Sequence, residues 1–230
     1  MSTRGSVTQR PRVVGVITSR ADLDRGTRMR KPPDLFELRL DCLLPLVDQL
    51  ENKLPRLRVP LIITARHPQE GGVNKLSLRQ RRDLLTRFLP AADYVDVELR
   101  SASALRPLLI LAEKKKVRRI ISFHNFKSTP SPRVLVAKAR AAKACGANIF
   151  KVATRTDMPF QLARLLDFVA NKKIDFPISA MGIGKLGAIS RILLARAASA
   201  LVYASLTAAV DIEGQLSLDQ LRALGIASRR

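Results

Sequence analysis

A lysine lies in the middle of a run that the sequence predicts to be buried. Lys151 is flanked by apolar and β-branched residues in Ile149-Phe-Lys-Val-Ala-Thr154, which contains no Gly or Pro and follows the turn-forming residues 145–148. This pattern predicts a short buried strand. Because burying an ammonium group is costly, Lys151 must reach water at the strand end, pair with an acid, or lose its proton and serve as a nucleophile. The run alone does not decide among these three.

Other ionisable residues lie in or just after similar runs. Glu37 and Arg39 are two apart, so both side chains point to one face of their predicted strand. Taken alone, such a pair is more often a surface salt bridge than a site. The other ionisable residues near the ends of such runs are Arg66, Glu98, His124 and Arg191. His124 is the plausible general base among them, because imidazole titrates near neutral pH.

The runs that must position these side chains alternate with helical or loop segments. Eight β-like runs cover residues 12–18, 35–41, 61–66, 94–99, 120–125, 149–154, 177–181 and 200–205. Helical spacing is found in residues 78–89, with Leu78, Leu85 and Leu89 near one face, and in 102–116 and 132–144, while the polar segment 20–33 is the least clear helix. Strand–helix alternation repeated eight times predicts an α/β fold, a single (β/α)₈ TIM-type barrel domain over residues 1–230, with residues 1–11 as a flexible basic N-terminus.

The barrel makes a specific demand on the ionisable residues. Chemistry in such barrels is found at the C-terminal ends of the strands, which is where the runs carry their polar residues. A convergence of Glu37, Arg39, Arg66, His124 and Lys151 at one barrel mouth is harder to explain as ordinary surface charge than any of them singly.

The bulk composition excludes several classes of protein. The formal net charge is +22, yet the basic residues are scattered and only 4% of residues are aromatic, which disfavours nucleic-acid binding and leaves attraction of small anions as a use for the charge. Two cysteines and two histidines predict neither a disulfide framework nor a metal site. No secretory signal or membrane-spanning run is evident, so we expect a cytoplasmic protein with no membrane partner.

A glycine motif late in the chain matches a dinucleotide-binding fingerprint in form only. Residues 182–187 read Gly-Ile-Gly-Lys-Leu-Gly, but no acidic residue follows at the required spacing of about 20 residues. In a barrel, glycines after the seventh strand are better explained by close approach of the backbone to an anionic group.

Seven short motifs, in order, give the chain a resemblance to a known family. They are Phe36-Glu-Leu-Arg-Leu-Asp41, Thr64-Ala-Arg-His-Pro-Gln-Glu-Gly-Gly72, Tyr94-Val-Asp-Val-Glu98, Ser122-Phe-His-Asn-Phe-Lys-Ser-Thr-Pro130, Phe150-Lys-Val-Ala153, Met181-Gly182 with Ser190-Arg191, and Gly214-Gln-Leu216. Together they resemble the type I 3-dehydroquinate dehydratases, the Schiff-base hydro-lyases of the shikimate pathway. The resemblance implies a (β/α)₈ barrel that needs no cofactor or metal, acts on the anionic small molecule 3-dehydroquinate, and forms a homodimer.

The resemblance also implies roles for individual residues. Lys151 would form an imine with the substrate ketone, His124 would act as general base and acid, and Glu70 would hold the tautomer of His124. Arg191 would bind the substrate carboxylate, and the other substrate-binding residues would be Glu37, Arg39, Arg66, Asp211 and Gln215. An imine requires the free amine of lysine, so we expect Arg39, Arg66 and Arg191 to face Lys151 and supply a cationic field. His67 is expected to be solvated or adjacent to the substrate rather than a second base.

Two departures from the family pattern concern the site. The family's His-Asp-Phe is here His124-Asn-Phe126, and the family's lid, which usually reads Ala-Pro-Gly-Gln, is here Asp211-Ile-Glu-Gly-Gln215. Two added acids should weaken binding of an anion unless cations pair with them, and loss of the proline should loosen the lid.

Two alternatives to dehydration of 3-dehydroquinate stay open. One is another imine-forming lyase or aldolase on the same barrel, and the other is a catalytically weak relative retained for binding, including binding to nucleic acid.

Overall fold

The eight apolar runs form eight parallel strands. In the computed structural model, which describes residues 10–207 and 212–227, the strands are β1 (Arg12–Ile17), β2 (Leu35–Arg39), β3 (Leu61–Thr64), β4 (Tyr94–Glu98), β5 (Arg118–Asn125), β6 (Ile149–Arg155), β7 (Ile178–Ile183) and β8 (Leu201–Ser205). Each lies within two residues of its predicted bounds. Because β3 ends at Thr64, Arg66 lies just beyond its strand.

The strands close into a barrel. They pair in the order β7-β6-β5-β4-β3-β2-β1-β8, and every pairing is parallel. At the seam between β7 and β8, the Ala200 amide donates to the Ile178 carbonyl at 2.7 Å, and the Ser179 hydroxyl donates to the Leu201 carbonyl at 3.1 Å. These bonds nearly complete the ring and confirm the predicted (β/α)₈ architecture.

In the described ranges, eight α-helices surround the barrel. They are α1 (Arg20–Arg28), α2 (Val47–Lys53), α3 (Leu78–Phe88), α4 (Arg106–Lys114), α5 (Pro132–Ala144), α6 (Pro159–Val169), α7 (Gly187–Arg196) and α8 (Leu218–Ala223). The polar α1 forms because Ser19 and Asp22 make a reciprocal capping box at its start. Pro132 begins α5 as predicted, with Ser131 at the N-cap position. No helix in these ranges has the length and apolarity to cross a bilayer.

One predicted helix face is wrong in part. Leu78 is predicted to share a face with Leu85 and Leu89, which are both buried, but Leu78 is the first residue of α3 and its side chain is 45% exposed. Arg81 is buried instead, with Leu85 and Phe88. A helical pattern that sorts residues by hydrophobicity assigns arginine to solvent, and the acid that makes burial of Arg81 possible lies on another element.

Alternation along the strands separates two apolar cores. Outward residues such as Phe36, Val97 and Phe150 pack beneath the helices, and inward residues such as Leu35, Ile62 and Ile149 fill the lower barrel interior. Above this apolar floor, the next inward positions are polar and buried: Glu37, Thr64, Asp96, Ser122, Lys151 and Ser179. The same two-residue period that fills the core therefore raises a polar layer into the barrel mouth.

Candidate active site

A cavity of about 420 Å³ opens above the polar layer at the C-terminal ends of the strands. Its walls come from strands β1, β2, β5, β6, β7 and β8 and from the loops beyond the strand ends, including Ile212 and Gln215 of the lid. The predicted site residues that line it are Glu37, Arg39, Arg66, Glu70, His124, Lys151, Arg191 and Gln215. Asp211 lies outside the described residues.

Lys151 is buried in the second inward layer of β6 and is paired with acids. Its Nζ lies 3.0 Å from Asp96 Oδ2 and 3.2 Å from Glu37 Oε1, and its side chain is 5% exposed. The Tyr203 ring covers the same nitrogen, with its centroid 3.9 Å away. Of the three possibilities open to a strand lysine, pairing with acids is the one found here.

The expected cationic field around Lys151 is wrong in its arrangement. Arg66 is buried close by, but its guanidinium donates to Asp96 through both Nη atoms at 3.0 and 2.9 Å, and to Glu98 at 3.2 Å. Arg39 is likewise bound to Asp41 by two hydrogen bonds of 3.0 and 2.8 Å. A buried guanidinium requires a carboxylate partner, so these arginines face acids, and acids rather than arginines contact Lys151.

The charges of the buried layer balance. Three carboxylates, Glu37, Asp96 and Glu98, interlock with three cations, Arg66, Arg81 and Lys151. Burial by itself would raise the pKa of Asp96, but the neighbouring Arg66 and Lys151 hold that pKa well below its usual value. Burial likewise opposes the charge of Arg66, and Asp96 and Glu98 outweigh it and raise the pKa of Arg66 well above its usual value. All six groups are therefore best described as one neutral network.

His124, on the strand β5 that pairs with β6, forms a dyad with Glu70 at the cavity wall. Glu70 Oε2 lies 2.9 Å from His124 Nδ1 and also accepts the His124 backbone amide at 3.0 Å. A short 3₁₀ turn, Pro68–Glu70, holds the carboxyl in position. When Glu70 is ionised, Nδ1 carries the proton and Nε2 is free to accept one.

The protonation states of this dyad are shifted by burial. Burial, together with the nearby Arg66 and Lys151 cations, lowers the pKa of His124 well below its usual value, so the imidazole is neutral near pH 7. Burial, with the repulsion of Glu98, raises the pKa of Glu70 to about 7. The ring is thus able to act as a base, and the charge on its partner changes within the physiological range. His67 does not line the cavity; its Nδ1 accepts the Gln69 amide at 3.1 Å.

Arg191 is the cation of the cavity that lacks a carboxylate. Within residues 10–207 and 212–227 no acid lies within 4.0 Å of it, and its hydrogen bonds run to the carbonyls of Gly214 at 3.0 Å and Tyr203 at 3.5 Å. Burial lowers the pKa of Arg191 to about 10, and the group remains charged near pH 7. A buried, charged and unneutralised guanidinium at a cavity wall is suited to an anionic ligand.

The lid segment packs on the glycine motif. A Cβ on Gly187 would lie 2.9 Å from Gly214 Cα, so both positions require glycine for the two backbones to meet. We predicted that these glycines let the backbone approach an anionic group. At Gly187 the structure shows instead that glycine is needed because the backbone of the lid packs against it. Of the two acids whose effect on binding was in question, Glu213 bonds to Arg155 at 3.0 Å and does not line the cavity.

Sequence reasoning missed three groups that surround Lys151, two in contact with it and one bound to its partner Asp96. Asp96 bonds Lys151 directly, Ser122 donates to Asp96 at 2.6 Å, and Tyr203 covers the Lys151 nitrogen. Asp96 did give a signal, because acids at every second position of an apolar run, Asp96 and Glu98, indicate a polar inward face. Tyr203 gave none, because an aromatic residue in a strand is most often core. The described residues hold no group of three or more His, Cys, Asp or Glu side chains able to bind a metal ion.

Comparisons with known proteins agree with this geometry. The sequence model of the family described as "Type I 3-dehydroquinase" matches residues 14–226. The 3-dehydroquinate dehydratase of Thermodesulfovibrio yellowstonii is 31% identical over 216 residues, 92% of each chain, and that of Pyrococcus abyssi is 33% identical over 204 residues, 83% of this chain and 86% of the relative. The solved structure of the Geobacillus kaustophilus 3-dehydroquinate dehydratase superimposes with a TM-score of 0.84 at 26% identity, covering 94% of this chain and 90% of that one.

Proposed function

This chain belongs to the type I 3-dehydroquinase family of hydro-lyases, and we propose that it dehydrates 3-dehydroquinate to 3-dehydroshikimate through an imine formed on Lys151. The observation that supports the proposal best is the presence, in one cavity, of a buried strand lysine, a neutral His124 held by Glu70, and an arginine that no acid of the described residues neutralises. Each of these groups matches one requirement of the reaction.

Lys151 supplies the electron sink. Its amine adds to the C3 ketone after giving up a proton, for which the Glu37 carboxylate, 3.2 Å from the nitrogen, is an adjacent acceptor. Loss of water from the adduct gives an imine, and the protonated imine acidifies the neighbouring carbon. A protonated imine carries the same charge as the ammonium it replaces, so the buried network stays neutral through the reaction.

His124 moves the protons of the elimination. Its neutral imidazole takes a proton from C2 and then returns a proton to the departing C1 hydroxyl, which leaves as water. Because one base serves both atoms, the proton and the hydroxyl must leave from the same face, which makes the elimination syn. Glu70 keeps the proton of the ring on Nδ1 and stabilises the imidazolium when it forms.

The remaining residues hold the substrate. Arg191 binds the substrate carboxylate, since it is the cavity cation whose charge is not used by an acid of the described chain. The charges of Arg39 and Arg66 are already neutralised by Asp41 and Asp96, so we assign to these arginines the substrate hydroxyls and the shaping of the field rather than the carboxylate. Gln215, which lines the cavity, closes over the substrate as part of the lid.

The test is turnover combined with trapping. Purified protein is mixed with 3-dehydroquinate while the ultraviolet absorbance of the conjugated product is followed, and a parallel sample is reduced with borohydride and digested for peptide mass spectrometry. We expect turnover and a reduced adduct on Lys151, and neither in Lys151→Met. Turnover without an adduct would reject the imine and keep the reaction. No turnover by folded protein would reject the reaction, and salt-resistant binding of nucleic acid would then favour a binding role.

Two further properties are part of the proposal, the first implied by the resemblance to the family and the second expected from the sequence. We expect a homodimer, which light scattering behind gel filtration would detect as a mass near twice the 25.4 kDa chain. We also expect a cytoplasmic location, which fractionation of the producing cells would test.

A further inference from the structure

A second cleft, of about 730 Å³, lies at the opposite end of the barrel from the catalytic cavity. It is lined by the first residues of five strands, Arg12, Tyr94, Arg118, Ile149 and Leu201. The catalytic residues, by contrast, lie at the C-terminal strand ends, so the two cavities do not share a wall residue. The proposed dehydration makes no use of this cleft.

Two arginines converge on one phenol in this cleft. Arg12 Nη1 and Arg118 Nη1 each donate to the Tyr94 hydroxyl oxygen at 2.6 Å, and each guanidinium carbon lies 5.4 Å from the centre of the same ring. Tyr94 is 2% exposed, so its hydroxyl is a fixed anchor that orients both guanidinium groups. Two guanidinium groups that meet at one hydroxyl oxygen repel each other, so the arrangement favours an anion beside them.

The described chain does not supply that anion. Within residues 10–207 and 212–227, no carboxylate lies within 4.0 Å of Arg12 or Arg118. Acids on neighbouring elements are engaged elsewhere: Asp34 accepts two bonds from Arg10, and Glu113 bonds Arg119 at 3.0 Å. Residues 1–9, which precede this end of the barrel in the chain, contain no acidic residue. The positive charge of the pair is therefore left for a ligand.

The number and direction of the donors select the ligand. One guanidinium fork satisfies the two oxygens of a carboxylate, whereas a phosphate group presents enough oxygens and charge to accept from two forks at once. The cleft is also larger than a bare phosphate ion. We infer that this cleft binds a phosphate-bearing small molecule, with the phosphate group bridging Arg12 and Arg118.

The experiment is calorimetric titration at low ionic strength with three probes: inorganic phosphate, glycerol 3-phosphate and malonate. All titrations use Arg191→Gln as the background, so that an anion entering the catalytic cavity does not contribute. The test variant adds Arg12→Gln and Arg118→Gln. The control variant adds Arg79→Gln and Arg82→Gln instead, which removes the same charge from the exposed surface of α3.

We expect one phosphate site per chain whose affinity falls at least about tenfold in the test variant, because two charge-assisted contacts are lost, and stays unchanged in the control. Arg118→Gln alone changes an exposed side chain and should also weaken binding. This single variant takes the place of the test variant if the double change perturbs folding. Tighter binding of glycerol 3-phosphate than of phosphate would identify an ester as the occupant, and the reverse would identify the free ion. Equal losses in test and control variants, no binding, or malonate binding as tightly as phosphate would each overturn the inference.

Discussion

Replacing Lys151 with methionine should cost far more stability than removal of a surface lysine, although methionine fills similar volume. The reason lies in the neutral network, whose three carboxylates and three cations are buried together. Lys151→Met removes one cation and leaves one net negative charge among side chains of Glu37 and Asp96 that are 4% and 0% exposed. Water cannot reach this charge to compensate it.

The size of the effect follows from what breaking a buried ion pair costs. Removal of one partner destabilises a protein by about 3–5 kcal/mol, because the remaining charge is left buried without compensation. For a chain of this size each kcal/mol lowers Tm by about 2–4 °C, so Tm should fall by about 6–20 °C. Adding Glu37→Gln removes one carboxylate and restores neutrality, so the double variant should regain most of the loss.

Urea unfolding followed by circular dichroism at pH 7 measures these differences. Lys143→Met is the matched control, since Lys143 also pairs with an acid, Asp175, but the two side chains are 50% and 70% exposed. A pair of that kind contributes at most about 1 kcal/mol. If Lys151→Met were no less stable than Lys143→Met, or if Glu37→Gln destabilised the double variant further, the description of the network as charge-balanced would be wrong.

Three further outcomes are expected. His124→Ala should still give the borohydride-trapped adduct on Lys151 while turnover falls by about 10²-fold or more, because only proton transfer is lost. With the pKa of Glu70 raised to about 7, its carboxyl is protonated below that pH and ionised above it, so kcat/KM should rise as pH increases through about 7. Glu70→Gln should remove this rise from the pH profile. If the rise persisted in Glu70→Gln, another group would be responsible for it. Tyr203→Leu removes a cation–π contact that stabilises the unreactive ammonium of Lys151, so trapping should speed up by roughly 2- to 30-fold, whereas Tyr203→Phe, which keeps the ring, should leave the trapping rate near that of the wild type.

The strand runs and their order could be predicted from the sequence because they depend on local pattern. Apolar β-branched runs such as residues 149–154 form strands whatever their partners, and eight of them alternating with helices admit few arrangements other than a barrel. Alternation then fixes which residues face inward, so that Glu37 and Arg39 were correctly assigned to one face. The motif resemblance added roles for Lys151, His124 and Arg191, and the structure brings these three residues to one cavity.

Which charge meets which was decided by the tertiary structure alone. The sequence contains cations in excess, and nothing in its spacing says that Arg66 turns to Asp96, that Arg81 is buried against Glu98, or that Arg191 is left without an acid. These pairings join residues on different strands and helices, and their energy depends on burial and on distances of about 3 Å that exist only after the barrel closes. Local sequence determines the elements and their inward faces, whereas the state of Lys151 depends on neighbours 55 and 114 positions away in the chain.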